Sequence, residues 1–201
     1  MKKPKLRELG EAVRAVIRGP FTLDFPRVSS PVAPSFRGIM VFEEDKCVVC
    51  GACAEVCPAA ARELTDFPDR QVRRITHHQE RCIYCGLCEA ACSWKAIRHT
   101  EEYDLAQLTN EGYERSVEKE LLLCEICDEP IATREHLLWI AETTGELAYA
   151  NPTLAYVLHQ EIEGVEPTLP TGARAAYRSD HLRLLCPKCR REVYLQEIWG
   201  Y

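Results

Sequence analysis

Eight of the twelve cysteines in this 201-residue chain fall into two runs of identical spacing. The first is Cys47-x-x-Cys50-x-x-Cys53-x-x-x-Cys57 and the second is Cys82-x-x-Cys85-x-x-Cys88-x-x-x-Cys92. A shift of 35 residues lays one on the other, and it also lays Gly51 on Gly86 and Ala61 on Ala96. Two copies of one small unit are therefore expected to fold back on each other. The other four cysteines form two pairs, Cys124-x-x-Cys127 and Cys186-x-x-Cys189, so none is left over. The basic N-terminus has no apolar stretch and no small-residue cleavage site of a secretory signal. The count then argues for metal or cluster binding in a reducing compartment, not for a disulfide scaffold.

The four-cysteine spacing has a physical cause. Three thiolates two residues apart wrap one face of a [4Fe–4S] cubane, and Gly51 or Gly86 lets the backbone turn close to the sulfides. The fourth cysteine opens a helix and points toward the other cluster. The expected ligand sets are Cys47, Cys50, Cys53 and Cys92 for one [4Fe–4S] cluster, and Cys82, Cys85, Cys88 and Cys57 for the other. Crossed ligation of this kind would make metal binding and folding one event. Two zinc ions fit less well, because zinc favours paired knuckles. A radical-generating cluster needs Cys-x-x-x-Cys-x-x-Cys, and Ala60 and Lys95 stand where its third cysteine would be. With four thiolates on each cluster, no iron is open to substrate. The expected role is electron transfer, with no catalytic residues. Ser93 follows Cys92 where Pro58 follows Cys57. Its restored N–H is expected to bond the Cys92 sulfur and raise that cluster's potential.

Two Cys-x-x-Cys knuckles make a closed tetrahedral thiolate site, so Cys124, Cys127, Cys186 and Cys189 are expected to hold a structural zinc. A mononuclear iron would use the same ligands, and reduced free thiols are the third reading. His136, His159 and His181 could each replace one ligand. His77 and His78 are expected to be ordinary strand-end residues.

The rest of the chain frames these sites. Residues 1–19 read as a basic amphipathic helix, with Leu6, Leu9, Val13 and Val16 on one face and Gly19-Pro20 ending it. That face meets either the chain's own core or a lipid or protein surface. Pro20, Pro26, Pro31 and Pro34 make residues 20–40 an extended arm. Phe67–Arg70 reads as a turn and Gln71–Thr76 as a strand. Residues 101–130 carry ten acidic and two basic residues, a balance of −8, and read as two short helical pieces divided at Asn110 and Gly112. A helix near Glu135–Thr144 should stop at Gly145. Another is capped by Asn151, opens on Pro152, buries Leu154, Val157, Leu158 and Ile162, and ends at Gly164, before a loop over 166–172. The expected fold class is α+β: a bacterial two-cluster ferredoxin fold over 41–100, an N-terminal helix and docking arm over 1–40, and a mostly helical, zinc-ribbon-like extension over 101–201.

Several functions are excluded on residues. No Gly-x-Gly-x-x-Gly, Gly-Lys-Ser/Thr or Gly-x-Ser-x-Gly occurs, so no nucleotide or acyl substrate has a place to bind. No stretch nears the ~20 apolar residues of a membrane span. The net charge of −6 and the acidic segment beside the first knuckle oppose nucleic-acid binding.

Thr22-Leu23-Asp24-Phe25-Pro26 and Phe36-Arg37-Gly38, then the two cysteine runs and Glu102-Tyr103-Asp104-Leu105-Ala106, resemble subunit I of NADH–quinone oxidoreductase, respiratory complex I. The tail with Cys124, Cys127 and Cys186-Pro187-Lys188-Cys189 is similar to the ferredoxin subunit of formate hydrogenlyase and related membrane-bound [NiFe] hydrogenases. The resemblance implies a peripheral subunit on the cytoplasmic side of the membrane. It would relay electrons from an upstream donor subunit to the subunit that carries the cluster nearest the [NiFe] or quinone site. Its partners would be peripheral and membrane-arm subunits of such a complex. A soluble ferredoxin-type carrier is the alternative outside these complexes. The sequence departs from the pattern at Ser93, and at Arg62, where an aliphatic residue like Ile97 is usual.

Overall fold

The computed structural model describes residues 6–19, 22–109, 112–163 and 183–199. Gly164, His181, Pro20 and the 166–172 loop lie outside them, as does the side chain of Ile162. The chain divides into two compact units, Met1–Phe36 and Arg37–Tyr201. In the first, α1 spans Leu6–Arg18 and buries none of its residues. The 3-4-3 spacing of Leu6, Leu9, Val13 and Val16 puts them on one face of this helix. All four are more than half exposed. The described part of the arm, 22–36, holds turns and no helix or strand.

In the second unit, β1 (Met40–Phe42) pairs antiparallel with β4 (Ile97–His99), with Phe42 opposite Ile97. This closes the repeat end to end. Between them lie two short helices, α2 (Ala52–Glu55) and α3 (Leu87–Ala91), and the hairpin β2 (Arg62–Phe67) and β3 (Val72–His78). Pro68–Arg70 forms a 3-10 turn and Gln71 takes φ 51°, as the expected turn requires. The strand runs two residues beyond Thr76, to His78.

The 35-residue repeat is written into the backbone. Val49 and Tyr84, Gly51 and Gly86, and Ala60 and Lys95 are pairs 35 apart, and all six residues have positive φ. Gly51 (φ 86°) opens α2 and Gly86 (φ 80°) opens α3. Left-handed backbone at these points turns each cysteine loop tightly around its cavity.

The expected helical pieces in 101–130 are not formed: among its described residues this segment has no helix. Residues Glu114–Leu123 form a ten-residue strand, β5, which pairs antiparallel with β3 and then with β6 (Pro130–Thr133). The sheet order is β2-β3-β5-β6. The reason is a period of two that the acidic composition hides. Val117 and Leu121 point into the core while Glu118 and Glu120 face outward. The outward carboxylates meet arginines: Glu118 bonds Arg74 and Glu120 bonds Arg134. Cross-strand pairs of opposite charge stabilise a sheet face by about 0.2–1 kcal/mol each, so the charge run suits a strand.

Beyond β6 the extension is helical: α4 (Arg134–Thr144), α5 (Pro152–Glu163) and α6 (Pro187–Trp199). Gly145 ends α4 at φ 57°. Asn151 Oδ1 accepts from Thr153 N–H at 3.1 Å, the N-cap that the sequence announces. Leu154 and Val157 of α5 join Leu137, Ala141 and Leu184 in one core. A second core gathers Met40, Val49, Ile75, Ile97 and Val117 around the repeat. Among the described residues, no helix is long and apolar enough to cross a membrane.

Gly38 locks the repeat's outer edge. Its N–H donates to Thr100 O at 2.8 Å, and Ile39 N–H donates to Glu102 O at 3.1 Å. A Cβ on Gly38 would overlap the carbonyl oxygens of Glu102 and Thr100. Both are backbone and cannot rotate away. Gly38→Ala is expected to destabilise the protein by about 1–3 kcal/mol through overpacking, read as a lower urea midpoint.

Candidate metal centres

The cysteine runs line two cavities. Cys47, Cys50, Cys53 and Cys92 face the first, with Val49, Ile75, Trp94 and Ile97. Cys57, Cys82, Cys85 and Cys88 face the second, with Arg62, His77 and His99. Each run thus gives three cysteines to one cavity and its last cysteine to the other. Backbone N–H groups aim at the sulfurs. Ala61 N–H donates to Cys57 Sγ at 3.2 Å and Ala96 N–H to Cys92 Sγ at 3.3 Å, again a pair 35 apart. Tyr84 N–H donates to Cys82 Sγ at 3.4 Å. The described donor to Cys92 is therefore Ala96, not Ser93. The matching bond at Cys57 comes from Ala61, so this donor does not distinguish the two halves.

Burial makes these thiols reluctant anions. It raises the Cys47 and Cys82 thiols, and it pushes Cys53 up to about 11. The Arg62 charge works against it at both Cys53 and Cys82. A cavity lined by four thiols needs a cationic centre before all four can ionise together, which is what iron supplies.

Arg62 is the residue whose place the repeat alone does not predict. It is 5% exposed, and its guanidinium carbon lies 4.6 Å from the centroid of the Phe42 ring. Nη1 and Nη2 have no hydrogen-bond partner among the described residues. Leaving a buried charge uncompensated costs roughly 3–5 kcal/mol, and a desolvated cation–π contact returns only about 2 kcal/mol. The remainder calls for an electron-rich group in the adjoining cavity. Thiolate and sulfide sulfurs of a [4Fe–4S] centre meet that need, so the residues fit the group.

His77 also belongs to this wall. It is the strand-end residue that the sequence suggests, yet it is 1% exposed. Its Nδ1 lies 3.2 Å from Ala61 O and its Nε2 lies 3.0 Å from Gln79 Oε1. Gln79 Nε2 in turn donates to Tyr84 Oη at 2.6 Å. This chain ties the end of the first run to the loop of the second. Burial, and then the Arg62 charge, lower the His77 pKa to about 4, so its ring is neutral at pH 7.

The other four cysteines meet as the pairing suggests. Their sulfurs lie within 4.8 Å of one another, and Cys127 and Cys186 approach to 3.7 Å. A tetrahedron with arms of about 2.3 Å has edges of about 3.8 Å, so the group is already near metal geometry. Cys124 follows β5, and Cys127 sits in the turn before β6, closed by Asp128 N–H bonding Cys124 O at 2.9 Å. Cys186 precedes α6 and Cys189 lies in its first turn. The second knuckle is therefore a helix start. His136 stands elsewhere, against Trp94 and Trp139 at 5.8 and 6.5 Å between ring centroids, and burial lowers its pKa. Among the described residues no histidine joins the cysteine group.

Comparison with known proteins agrees with the cysteine chemistry. Residues 46–96 match the family model described as a 4Fe-4S dicluster domain. The chain is 36% identical to NADH-quinone oxidoreductase subunit I of Magnetococcus marinus, over 35% of this chain and 49% of that protein. It is 32% identical to F(420)H(2) dehydrogenase subunit I of Methanosarcina mazei, over 31% of this chain and 36% of that protein. The matches thus span half or less of these curated relatives. A chain of the membrane-bound sulfane sulfur reductase, an archaeal respiratory membrane complex, superposes with a TM-score of 0.42 and 25% identity, covering 56% of this chain and 61% of that one. The expected resemblance to subunit I of NADH-quinone oxidoreductase is present among the two curated relatives.

Burial opposes ionisation at Cys124, but backbone N–H groups of Cys186, Ile126 and Cys127 outweigh it and hold the thiol down at about 7. Burial raises Cys189. A bound metal must displace the protons these sulfurs keep, so affinity rises with pH. The apparent zinc affinity, measured against a chromophoric chelator, should fall steeply as pH drops below about 7. Cys186→Ser should lose the tail metal while leaving the iron content unchanged.

Proposed function

We propose that this chain is an electron-relay subunit of a membrane-bound respiratory complex. Cys47, Cys50, Cys53 and Cys92 hold one [4Fe–4S] centre in this reading, and Cys82, Cys85, Cys88 and Cys57 hold another. The observation that carries it is the lining of the two cavities, each with four thiols, three from one run and one from the other. Each centre supplies reversible one-electron uptake when bound. Four protein thiolates leave no iron open, so this chain positions and insulates electrons and transforms no substrate of its own. Backbone N–H groups at Ala61, Ala96 and Tyr84 face sulfurs, and such bonds are among the terms that set potential.

Cys124, Cys127, Cys186 and Cys189 hold a structural zinc in this reading, with iron as the alternative metal. Their packing with Leu185 and Val193 supports a structural role. The exposed apolar face of α1, with Arg7, Arg14 and Arg18 on the other side of the helix, is a docking surface of a peripheral subunit on the cytoplasmic side of the membrane.

The four-cysteine tail leads us to place the chain in a membrane-bound [NiFe] hydrogenase complex of the formate hydrogenlyase type. There it would lie between an upstream donor subunit and the hydrogenase subunits. The second reading is subunit I of a complex I-type quinone reductase, favoured by the two curated relatives. Anoxic purification of the native complex through a tag on this chain separates them. Recovery of [NiFe] subunits with membrane subunits supports the first, and quinone-reductase subunits without hydrogenase support the second. The chain alone, still loaded with iron, would overturn both in favour of a soluble carrier.

Crossed ligation has its own test. Cys57→Ser should alter the same electron paramagnetic resonance signal as Cys82→Ser, and Cys92→Ser the same signal as Cys47→Ser. Pairing of Cys57 with Cys47 instead would refute the assignment.

A further inference from the structure

Position 62 is where the two halves of the repeat part company in charge. The 35-residue shift places Arg62 on Ile97. Both side chains are buried, at 5% and 4% exposure. Each lines the cavity that receives the last cysteine of its own run: Ile97 the one with Cys92, Arg62 the one with Cys57. One cavity therefore has a hydrocarbon wall where the other has a guanidinium.

We propose that Arg62 sets the order of the two reduction potentials, holding the Cys57/Cys82/Cys85/Cys88 centre more positive than its Ile97-walled counterpart, so that a relayed electron rests there. The proposal builds on the two-centre reading above and adds which centre is the better acceptor and why.

Four observations carry it. Arg62 Nη1 and Nη2 are buried with no hydrogen-bond partner among the described residues. No carboxylate among the described residues forms an ion pair with Arg62 either, so none of them cancels its charge. The neighbouring imidazoles have their own partners: His77 Nδ1 and Nε2 lie 3.2 and 3.0 Å from Ala61 O and Gln79 Oε1, and His99 Nδ1 lies 2.7 Å from Glu89 Oε2. Burial keeps solvent and salt from screening the charge, as they would at the surface.

The physical consequence has a definite sign. Reduction adds one electron to a centre that four thiolates already make negative, and no bond forms or breaks. The electron comes from a low-potential one-electron donor and leaves to the next acceptor. A fixed buried cation stabilises the reduced, more negative form more than the oxidised one. It therefore raises the potential of the centre whose cavity wall it forms, and to a lesser degree that of the other, since its charge also reaches Cys53.

The test is an anoxic redox titration of the full-length, iron-loaded chain, followed by electron paramagnetic resonance. Wild type is compared with Arg62→Met, Arg62→Gln and Arg62→Lys. Wild type should show two one-electron couples. In the Met and Gln variants the higher couple should fall by at least tenfold in its reduction equilibrium constant, about 59 mV for one electron. The lower couple should move less, and Lys should keep most of the wild-type value. A higher couple that stays in place in Arg62→Met, with full iron content, overturns the proposal and leaves the two-centre reading standing. A single wild-type couple at an iron content of two centres overturns the proposal, and an iron content below two centres overturns the two-centre reading itself. If neither neutral variant retains iron, Ile97→Arg asks the question from the other half. A rise of the lower couple supports the role of charge at this position, and no movement refutes it.

Discussion

Desolvation of cysteine thiols is the constraint on which the rest of this structure depends. Burial raises the thiols of Cys47, Cys53 and Cys82 in the paired cavities and of Cys189 in the tail. A group of buried thiols can become a group of thiolates only beside a cation. Folding brings the sulfurs close together, and the same closeness favours a filled site over an empty one. Chain elements that look incidental then acquire a purpose. The positive-φ residues bend the loops around the sulfurs, the N–H groups of Ala61 and Ala96 point at them, and the sheet holds the loops at fixed separation.

A repeat of this kind produces two sites that are equal to first order. The backbone angles, the glycine helix starts and the N–H to Sγ bonds all recur 35 residues apart. Net transfer needs a potential difference only between the outer donor and the final acceptor, so a difference between the two sites decides where an electron rests. Side chains rather than backbone must supply the difference. Arg62 against Ile97 is one such difference, and Trp94 on one wall against His77 and His99 on the other is a second. Ser93 against Pro58 does not reach the sulfur through a described bond.

Much of the site was legible in the sequence because metal ligands have few permitted spacings. The two runs and the two knuckles could be assigned without any structure, as could the turn at Phe67–Arg70, the caps at Gly145 and Asn151 and the strand ending at His78. The segment 101–130 was not legible as a strand. Its acidic residues suggested a solvated helix, and the alternation of Val117, Lys119 and Leu121 is short and interrupted. The arginine partners that neutralise Glu118 and Glu120 lie 44 and 14 residues away, at Arg74 and Arg134. Only the folded sheet brings them together. Arg62 was legible as a departure from the repeat, but not as a buried group with unpartnered N–H atoms. That depends on the placement of Phe42 and His77, which local sequence does not encode.

The tail is coupled to the first cavity by three separate contacts. β5 carries Val117 opposite Ile75, a wall residue of that cavity, and seven residues later it delivers Cys124 to the four-cysteine group. β6 ends at Thr133, fully buried, whose Oγ1 donates to Val48 O at 2.6 Å, one residue from Cys47. α4 then sets Trp139 against Trp94, another wall residue, with ring centroids 4.6 Å apart. The start of the same strand meets the other side: Arg115 lies opposite His77, a wall residue of the second cavity, and Gln79 N–H donates to Tyr113 O at 2.9 Å. A metal at the four-cysteine group clamps the ends of β5 and β6 together, and those strands bear on the cavity of Cys47, Cys50, Cys53 and Cys92. In the proposed reading, a metal held by the four cysteines would steady β5, whose Val117 and Arg115 lie opposite one wall residue of each cavity, Ile75 and His77.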